Sequence, residues 1–155
     1  MPNYAASNLL GGTQQNLSTS FKTLVALTAA TATLKRGRIY DLLVGTDGTP
    51  ADNACRFDIS RQTAAGTSTS ITPNALDPAD VAAGTVGSAN FTAEGTITAN
   101  SSVLQLGLNQ RASYRWVAAP GGELVWPATN LAGLAIRANS PGYTSTATAQ
   151  AYFNE

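Results

Sequence analysis

Period two runs through this chain from end to end, and no stretch carries the 3.6-residue period of a helix of useful length. Ala54–Gln62 (ACRFDISRQ) alternates Cys55, Phe57 and Ile59 with Arg56, Asp58 and Ser60. Ser102–Asn109 alternates Leu104, Leu106 and Leu108 with Val103, Gln105, Gly107 and Asn109. Ser145–Ala151 sets Ser145, Ala147, Ala149 and Ala151 against Thr146, Thr148 and Gln150. In a strand, successive side chains point to opposite faces, so alternation of this kind marks half-buried β-strands. Turn residues separate the runs at intervals of about 8–12 residues, the spacing of an all-β sandwich. The expected fold is all-β: an antiparallel two-sheet sandwich of jelly-roll type, with an extended N-terminal arm and at most one short helical turn.

The chain has 155 residues, a length suited to one domain with its own core. The expected division is an arm over residues 1–20 and a β-sandwich domain over 21–155. Residues 1–20 are small and polar and read as an arm that lies on a neighbour or stays loose. Phe21–Ala30 is apolar on both faces and reads as a central strand. Arg36–Gly45 is the next strand. Its Asp41 sits among apolar residues and needs a partner, from Arg36, Arg38 or a neighbouring strand. Arg56 and Asp58 share one strand face and read as a solvated or interfacial face. A short edge strand is expected at Thr69–Thr72, and Pro73–Asn90 reads as a loop with one helical turn near Pro78–Ala83. In that loop Asp77 and Asp80 read as capping residues. Phe91–Thr98 and Leu131–Ala138 read as further strands.

Asn109–Ala138 holds both tryptophans and the clearest hairpin signal. Tyr114, Trp116 and Ala118 share one face, Pro120-Gly121-Gly122 turns the chain, and Leu124 and Trp126 return. Arg111, Arg115 and Glu123 are expected on its outer face, with Arg115 and Glu123 close enough to pair across the strands. Aromatics in a hairpin are core or cross-strand pairs. The alternative is a sugar-stacking platform built on Trp116 or Trp126. In the last strand the alanine row buries little apolar area, so sheet pairing must hold it.

Composition excludes much chemistry. The chain has no His and one Cys, Cys55. Ser-His-Asp and Cys-His nucleophile devices and His- or thiolate-ligated zinc are therefore absent. Cys55 shares a face with Phe57 and Ile59 and reads as a small buried hydrophobe. Asp47, Asp52 and Asn53 lack the spacing of a calcium loop. No paired carboxylates mark a glycosidase. No enzyme activity, metal or cofactor is expected. Lys+Arg and Asp+Glu balance at 9 and 9, so nucleic-acid binding, which draws on excess positive charge, is not expected. Neither a secretory leader nor a membrane segment is expected, nor a small-molecule substrate. Only 12% of residues are charged, half the usual share. So little charge leaves a free monomer poorly solvated, which hints at surfaces that face other protein.

The segments RGRIYDLLVGTDGTPADNA (36–54), TPNALDPAD (72–80) and NQRASYRWVAAPGGELVWPAT (109–129) resemble small structural proteins of tailed bacteriophages. The likeness is to the capsid decoration, or cement, class built on β-sandwich or jelly-roll folds, and it covers most of residues 20–153. It implies a homotrimer that binds the major capsid protein on the outer surface of an icosahedral shell. It implies a virion location after synthesis in the bacterial host cytoplasm, and no catalytic residue. The alternative expectation is a glycan- or receptor-binding module of a tail fibre or surface knob. The residues expected to make contacts are Arg111, Arg115, Glu123, Trp126, Asp77 and Asp80.

Overall fold

The computed structural model describes residues 1–11 and 14–155. Among the described residues thirteen strands appear in chain order: β1 (Asn3–Ser7), β2 (Gln15–Leu17), β3 (Lys22–Ala29), β4 (Gly37–Asp47), β5 (Ala54–Ala64), β6 (Thr67–Ile71), β7 (Asn74–Ala75), β8 (Thr85–Ala93), β9 (Thr96–Asn109), β10 (Tyr114–Val117), β11 (Leu124–Trp126), β12 (Gly133–Asn139) and β13 (Ser145–Asn154). They form two antiparallel sheets packed as a sandwich. Sheet A runs β10-β4-β13-β1-β7, with β11 also on β4 and β2 also on β13. Sheet B runs β6-β8-β3-β12-β5-β9.

The chain switches sheets repeatedly. β3, β4 and β5 lie in sheets B, A and B, and β12 and β13 lie in B and A. The two runs interleave: β12 sits between β3 and β5, while β13 sits beside β4. The inner face of β5 is the one the alternation marked, while a register shift opposite β4 brings Ile39 to the same face as Leu42 and Val44. Cys55, Phe57 and Ile59 on β5 meet Ile136 and Leu134 from β12 and Val25 and Leu27 from β3 in one buried cluster. Sheet A contributes Tyr4, Ile39, Leu42, Val44, Trp126, Phe153 and the alanine row of β13. Alanines there let the sheets approach, and β13 is held by strands on both sides, β4 on one and β1 with β2 on the other.

Two strands are interrupted by excursions. β1 and β2 both run antiparallel to β13, pairing with residues 150–154 and 145–147 in turn. They are one broken strand. A 3-10 turn at Asn8–Gly11 leaves the ladder between them. The buried Asn8 side chain fills the gap: its amide donates to the carbonyl of Ala147 at 3.0 Å and its oxygen accepts from the amide of Ala149 at 2.9 Å. The N-terminal segment is extended, as expected, but it belongs to its own chain's sheet and brings Tyr4 into the core. The reason is the apolar spacing Tyr4–Ala6, which continues the inner face.

β10 and β11 repeat this arrangement on β4, and the expected hairpin is corrected. Both pair with β4 in the same direction, Tyr114–Val117 with residues 44–41 and Leu124–Trp126 with residues 39–37. Pro120-Gly121-Gly122 is the tip of an excursion from a single edge strand. Gly121 takes φ +80 there, a conformation that glycine adopts without a steric cost.

Sheet B is bent over on itself. β5 pairs with β9, and β6 pairs with β8. The ladder continues from Ala64↔Thr96 to Thr67↔Ala93. Gly66 and Gly95 mark the crossing. A Cβ on Gly66 would lie 2.0 Å from the carbonyl oxygen of Ala93, so no other residue fits. The bent ribbon brings Glu94 across to Thr23 on β3, whose amide and hydroxyl both donate to its carboxylate. It thereby covers Thr23, Ala26 and Ala135 on the outer side of the sheet, all fully buried. β8 begins at Thr85, inside the segment read as loop. The short helical turn expected at Pro78–Ala83 is a hydrogen-bonded turn, and the 3-10 turn lies at Asn8–Gly11 instead.

Candidate interaction surface

The outer face of sheet A lies open across β10, β4, β13 and β1. At its β1 end Leu9 and Leu10 of the Asn8–Gly11 turn line a hollow together with Ala5, Ser7 and Gln150. Register places Arg115 beside Leu43 and Gln150, and Val117 beside Asp41 and Tyr152. Ala5 and Ser7 continue the two rows on β1. Val117 is 59% exposed and Leu43 38%, while Tyr152, Gln150, Ala5 and Ser7 are half-buried. Gln150 donates to the Tyr152 hydroxyl at 2.8 Å, which fixes both side chains flat on the sheet.

One ion pair crosses this face. The guanidinium of Arg115 donates from Nε to both carboxylate oxygens of Asp41, at 3.0 and 3.1 Å, and from Nη2 to Oδ2 at 2.5 Å. Asp41 does take its partner from a neighbouring strand. The expected Arg115–Glu123 pair does not form, because β10 and β11 lie end to end and not side by side. Glu123 sits half-buried at the end of the excursion, without an ion-pair partner among the described residues. The Arg115–Asp41 pair is bidentate in its contacts and neutral in sum.

Arg111 lies beyond the end of β9 and meets Asp52 at 3.4 Å, both side chains largely exposed. Such a pair contributes about 1 kcal/mol at most. Trp126 is fully buried against Phe153, ring centroids 5.6 Å apart, and cannot contact a partner. Its indole Nε1 has no hydrogen-bond partner. Trp116 is half-buried against the core. Asp77 caps the turn that follows it, accepting from the amide of Ala79 at 2.9 Å. Asp77 and Asp80 therefore stand at the β7 edge of sheet A, away from Arg111, Arg115 and Glu123.

Asp58 corrects the reading of β5. Its carboxylate, read as part of a solvated or interfacial face, is buried within the chain, held by Arg137, Ser60, Ser102 and Gln105. The ribbon of β5, β6, β8 and β9 encloses that side of the strand. Burial pushes the Asp58 carboxyl up, and the hydrogen bonds from Ser102, Ser60 and Arg137 together with the Arg137 charge outweigh it, so it rests below the usual carboxylate range. Arg137 also lies 4.9 Å over the ring of Phe21. Beside this cluster runs a shallow groove of about 430 Å3 lined by Phe21, Arg56, Gln105 and Leu106. Every polar group in the cluster is partnered, which marks it as a strut between β5, β9 and β12. Cys55 is buried, and burial pushes its thiol up to about 11. It stays protonated and inert at neutral pH.

Among the described residues no three His, Cys, Asp or Glu side chains cluster as metal ligands. No helix among them is long and apolar enough to cross a membrane. The polar groups that remain exposed suit weak, reversible contacts. Sequence reading missed one further feature, the groove between Arg36 and Arg61, because it joins residues that are far apart along the chain.

No protein-family model matches the chain, and no curated protein matches it.

Proposed function

We propose that this chain is a non-enzymatic viral structural protein of the capsid decoration, or cement, class. In this reading it binds the major capsid protein on the outer surface of an icosahedral phage shell as a homotrimer and stabilises the shell. The observation that carries the reading is the open outer face of sheet A. Its exposed residues Val117 and Leu43 stand beside the half-buried Tyr152, Gln150, Ala5 and Ser7, with one self-cancelling ion pair. A sheet face with so little charge is well suited to lie against protein, since little charge must be stripped of water on contact. The resemblance of residues 36–54, 72–80 and 109–129 to the cement class supports it. Many copies, each held weakly, gain strength on a lattice through multivalency.

A glycan-binding role rested on a tryptophan platform. Trp126 is sealed in the core and Trp116 is half-buried, so no observation favours it.

The test is to add the purified chain to icosahedral shells that lack it. Co-sedimentation at a fixed stoichiometry, with a higher melting temperature of the loaded shell, is expected. Failure to bind shells at any occupancy overturns the proposal.

A further inference from the structure

Two patches of the surface carry opposite charge without an ion-pair partner among the described residues. At the β11 edge a groove of about 520 Å3 is lined by Arg36, Arg61, Val125, Pro127 and Ala128. Arg36 and Arg61 have no ion-pair partner among the described residues, as is true of Lys22, Arg38 and Arg56, and they are the two that share one groove. The Arg61 guanidinium is held in place by donating to the carbonyl of Val125 at 3.1 Å. The floor between the two cations is apolar.

At the β7 edge stands Leu76-Asp77-Pro78-Ala79-Asp80-Val81. Leu76 is 50% exposed and Val81 65%. These are large values for apolar side chains. The segment is pinned along its length. Leu76 donates from its amide to the carbonyl of Asn3 at 2.8 Å, and Asp80 from its amide to the carbonyl of Asp77 at 3.0 Å. The Tyr4 hydroxyl donates to the carbonyl of Val81 at 3.0 Å. Just beyond, the amide of Gly84 donates to Glu155 at 2.6 Å. Asp77 and Asp80 have no cationic partner among the described residues. The segment is a rigid wedge with an acid near each end and apolar shoulders.

We propose that this wedge of one copy docks in the Arg36–Arg61 groove of a second copy. Two carboxylates meet two guanidinium groups, and Leu76, Pro78 and Val81 meet Val125, Pro127 and Ala128. Both surfaces are held before contact, so little ordering opposes the docking. The proposal rests on the assembly reading above and deepens it by naming the contact between copies. No ion pair joins groove and wedge within one copy among the described residues. The contact joins different patches on the two partners, so it is head-to-tail, and a head-to-tail contact that closes makes a ring. A homotrimer is such a ring.

Sedimentation velocity of the full chain at low and high salt tests the contact. Wild type is expected to associate, less so at high salt. The double variants D77K/D80K and R36E/R61E each set like charges face to face and are expected to weaken association about tenfold or more. The quadruple variant R36E/R61E/D77K/D80K restores opposite charges and is expected to associate again. Circular dichroism checks that each variant is folded. Should a charge reversal unfold the chain, Ala79→Cys with Ala128→Cys in one chain reads the same contact. Disulfide-linked dimers and higher species are then expected under mild oxidation, since Cys55 is buried, and monomers alone overturn the proposal. A monomeric wild type overturns it. So do double variants that associate as wild type does, or a quadruple variant that stays dissociated. Association that ignores the reversals removes this contact and leaves shell binding untouched. Loss of shell binding with association intact removes the shell reading alone.

Discussion

Gly37 on β4 lies directly against the indole ring of Trp126 on β11, its partner in the ladder. A Cβ at position 37 would sit 2.0 Å from Cζ2 of that ring and 2.4 Å from Cη2. The largest side chain in the core therefore depends on the absence of one at its neighbour. Gly37→Ala must displace the indole or the edge strand. The expected loss is about 1–3 kcal/mol, the usual cost of overfilling a packed core. Gly107→Ala, on the exposed face of edge strand β9 with nothing within 4 Å of the added atom, is the control and is expected to stay within about 0.5 kcal/mol of wild type. Urea denaturation followed by tryptophan fluorescence reads both; equal midpoints for the two variants contradict the packing account.

Asp58 and Glu155 predict the response to acid. Both are buried carboxylates. For Glu155 burial acts to raise the pKa, and hydrogen bonds from Thr85, Gly84 and Lys35 with the Lys35 charge outweigh it, as the Asp58 partners do for Asp58. Each folded-state value therefore lies below its unfolded value of about 4. The folded chain binds these protons less readily than the unfolded chain does. The stabilisation is complete above pH ~4 and is lost as pH falls through the lower folded values. Urea midpoints are expected to be level from pH 7 to 5 and to fall steeply below about 4. Asp58→Asn is expected to flatten that fall, and a midpoint that rises on acidification contradicts the assignment.

Arg137 and Asp58 are expected to behave as a pair. Arg137→Met leaves the Asp58 carboxylate buried and short of its cation, a change that costs about 3–5 kcal/mol where a buried pair is broken. Asp58→Leu together with Arg137→Met removes both charges and is expected to recover most of that loss. Thermal unfolding of the two variants decides the matter. A double variant no better than the single one means that the hydrogen bonds from Ser60, Ser102 and Gln105 outweigh the ion pair.

Asn8 holds the N-terminal strand to β13. Asn8→Ala removes both of its hydrogen bonds to the β13 backbone and leaves the Ala147 carbonyl and Ala149 amide buried and unpartnered. The expected loss is roughly 1–3 kcal/mol. Amide hydrogen exchange should show it locally, with Ala149 and the amides of β1 exchanging faster while β3 and β12 stay protected. Unchanged protection at Ala149 contradicts the bridging role.

Where large apolar residues alternate, the sequence is explicit. Cys55-x-Phe57-x-Ile59 and Leu124-x-Trp126 state their inner faces directly, and the sandwich follows. β8 was hidden because its inward residues are Thr85, Gly87, Ala89 and Phe91, three of them small. Its alternation is one of size and not of polarity. The excursion at Pro120-Gly121-Gly122 carries the local chemistry of a hairpin turn. Only the register of β4 shows that the two arms lie end to end, and register is a long-range property. Asp58 misled for a related reason. Alternation predicts which face a side chain takes but not that a ribbon bent at Gly66 and Gly95 will cover the outer face. Of the residues in the proposed contact, Asp77 and Asp80 are legible from loop chemistry. Arg36 and Arg61 gain meaning only when folding brings them to one groove.

The central claim is that the open face of sheet A serves to contact other protein. Electron cryomicroscopy of icosahedral particles assembled with this chain tests it most directly. The account predicts sandwich-shaped density on the outside of the shell, with Leu43, Val117 and Tyr152 covered by protein. Density absent from the shell, or present with that face turned bare to solvent, would contradict it.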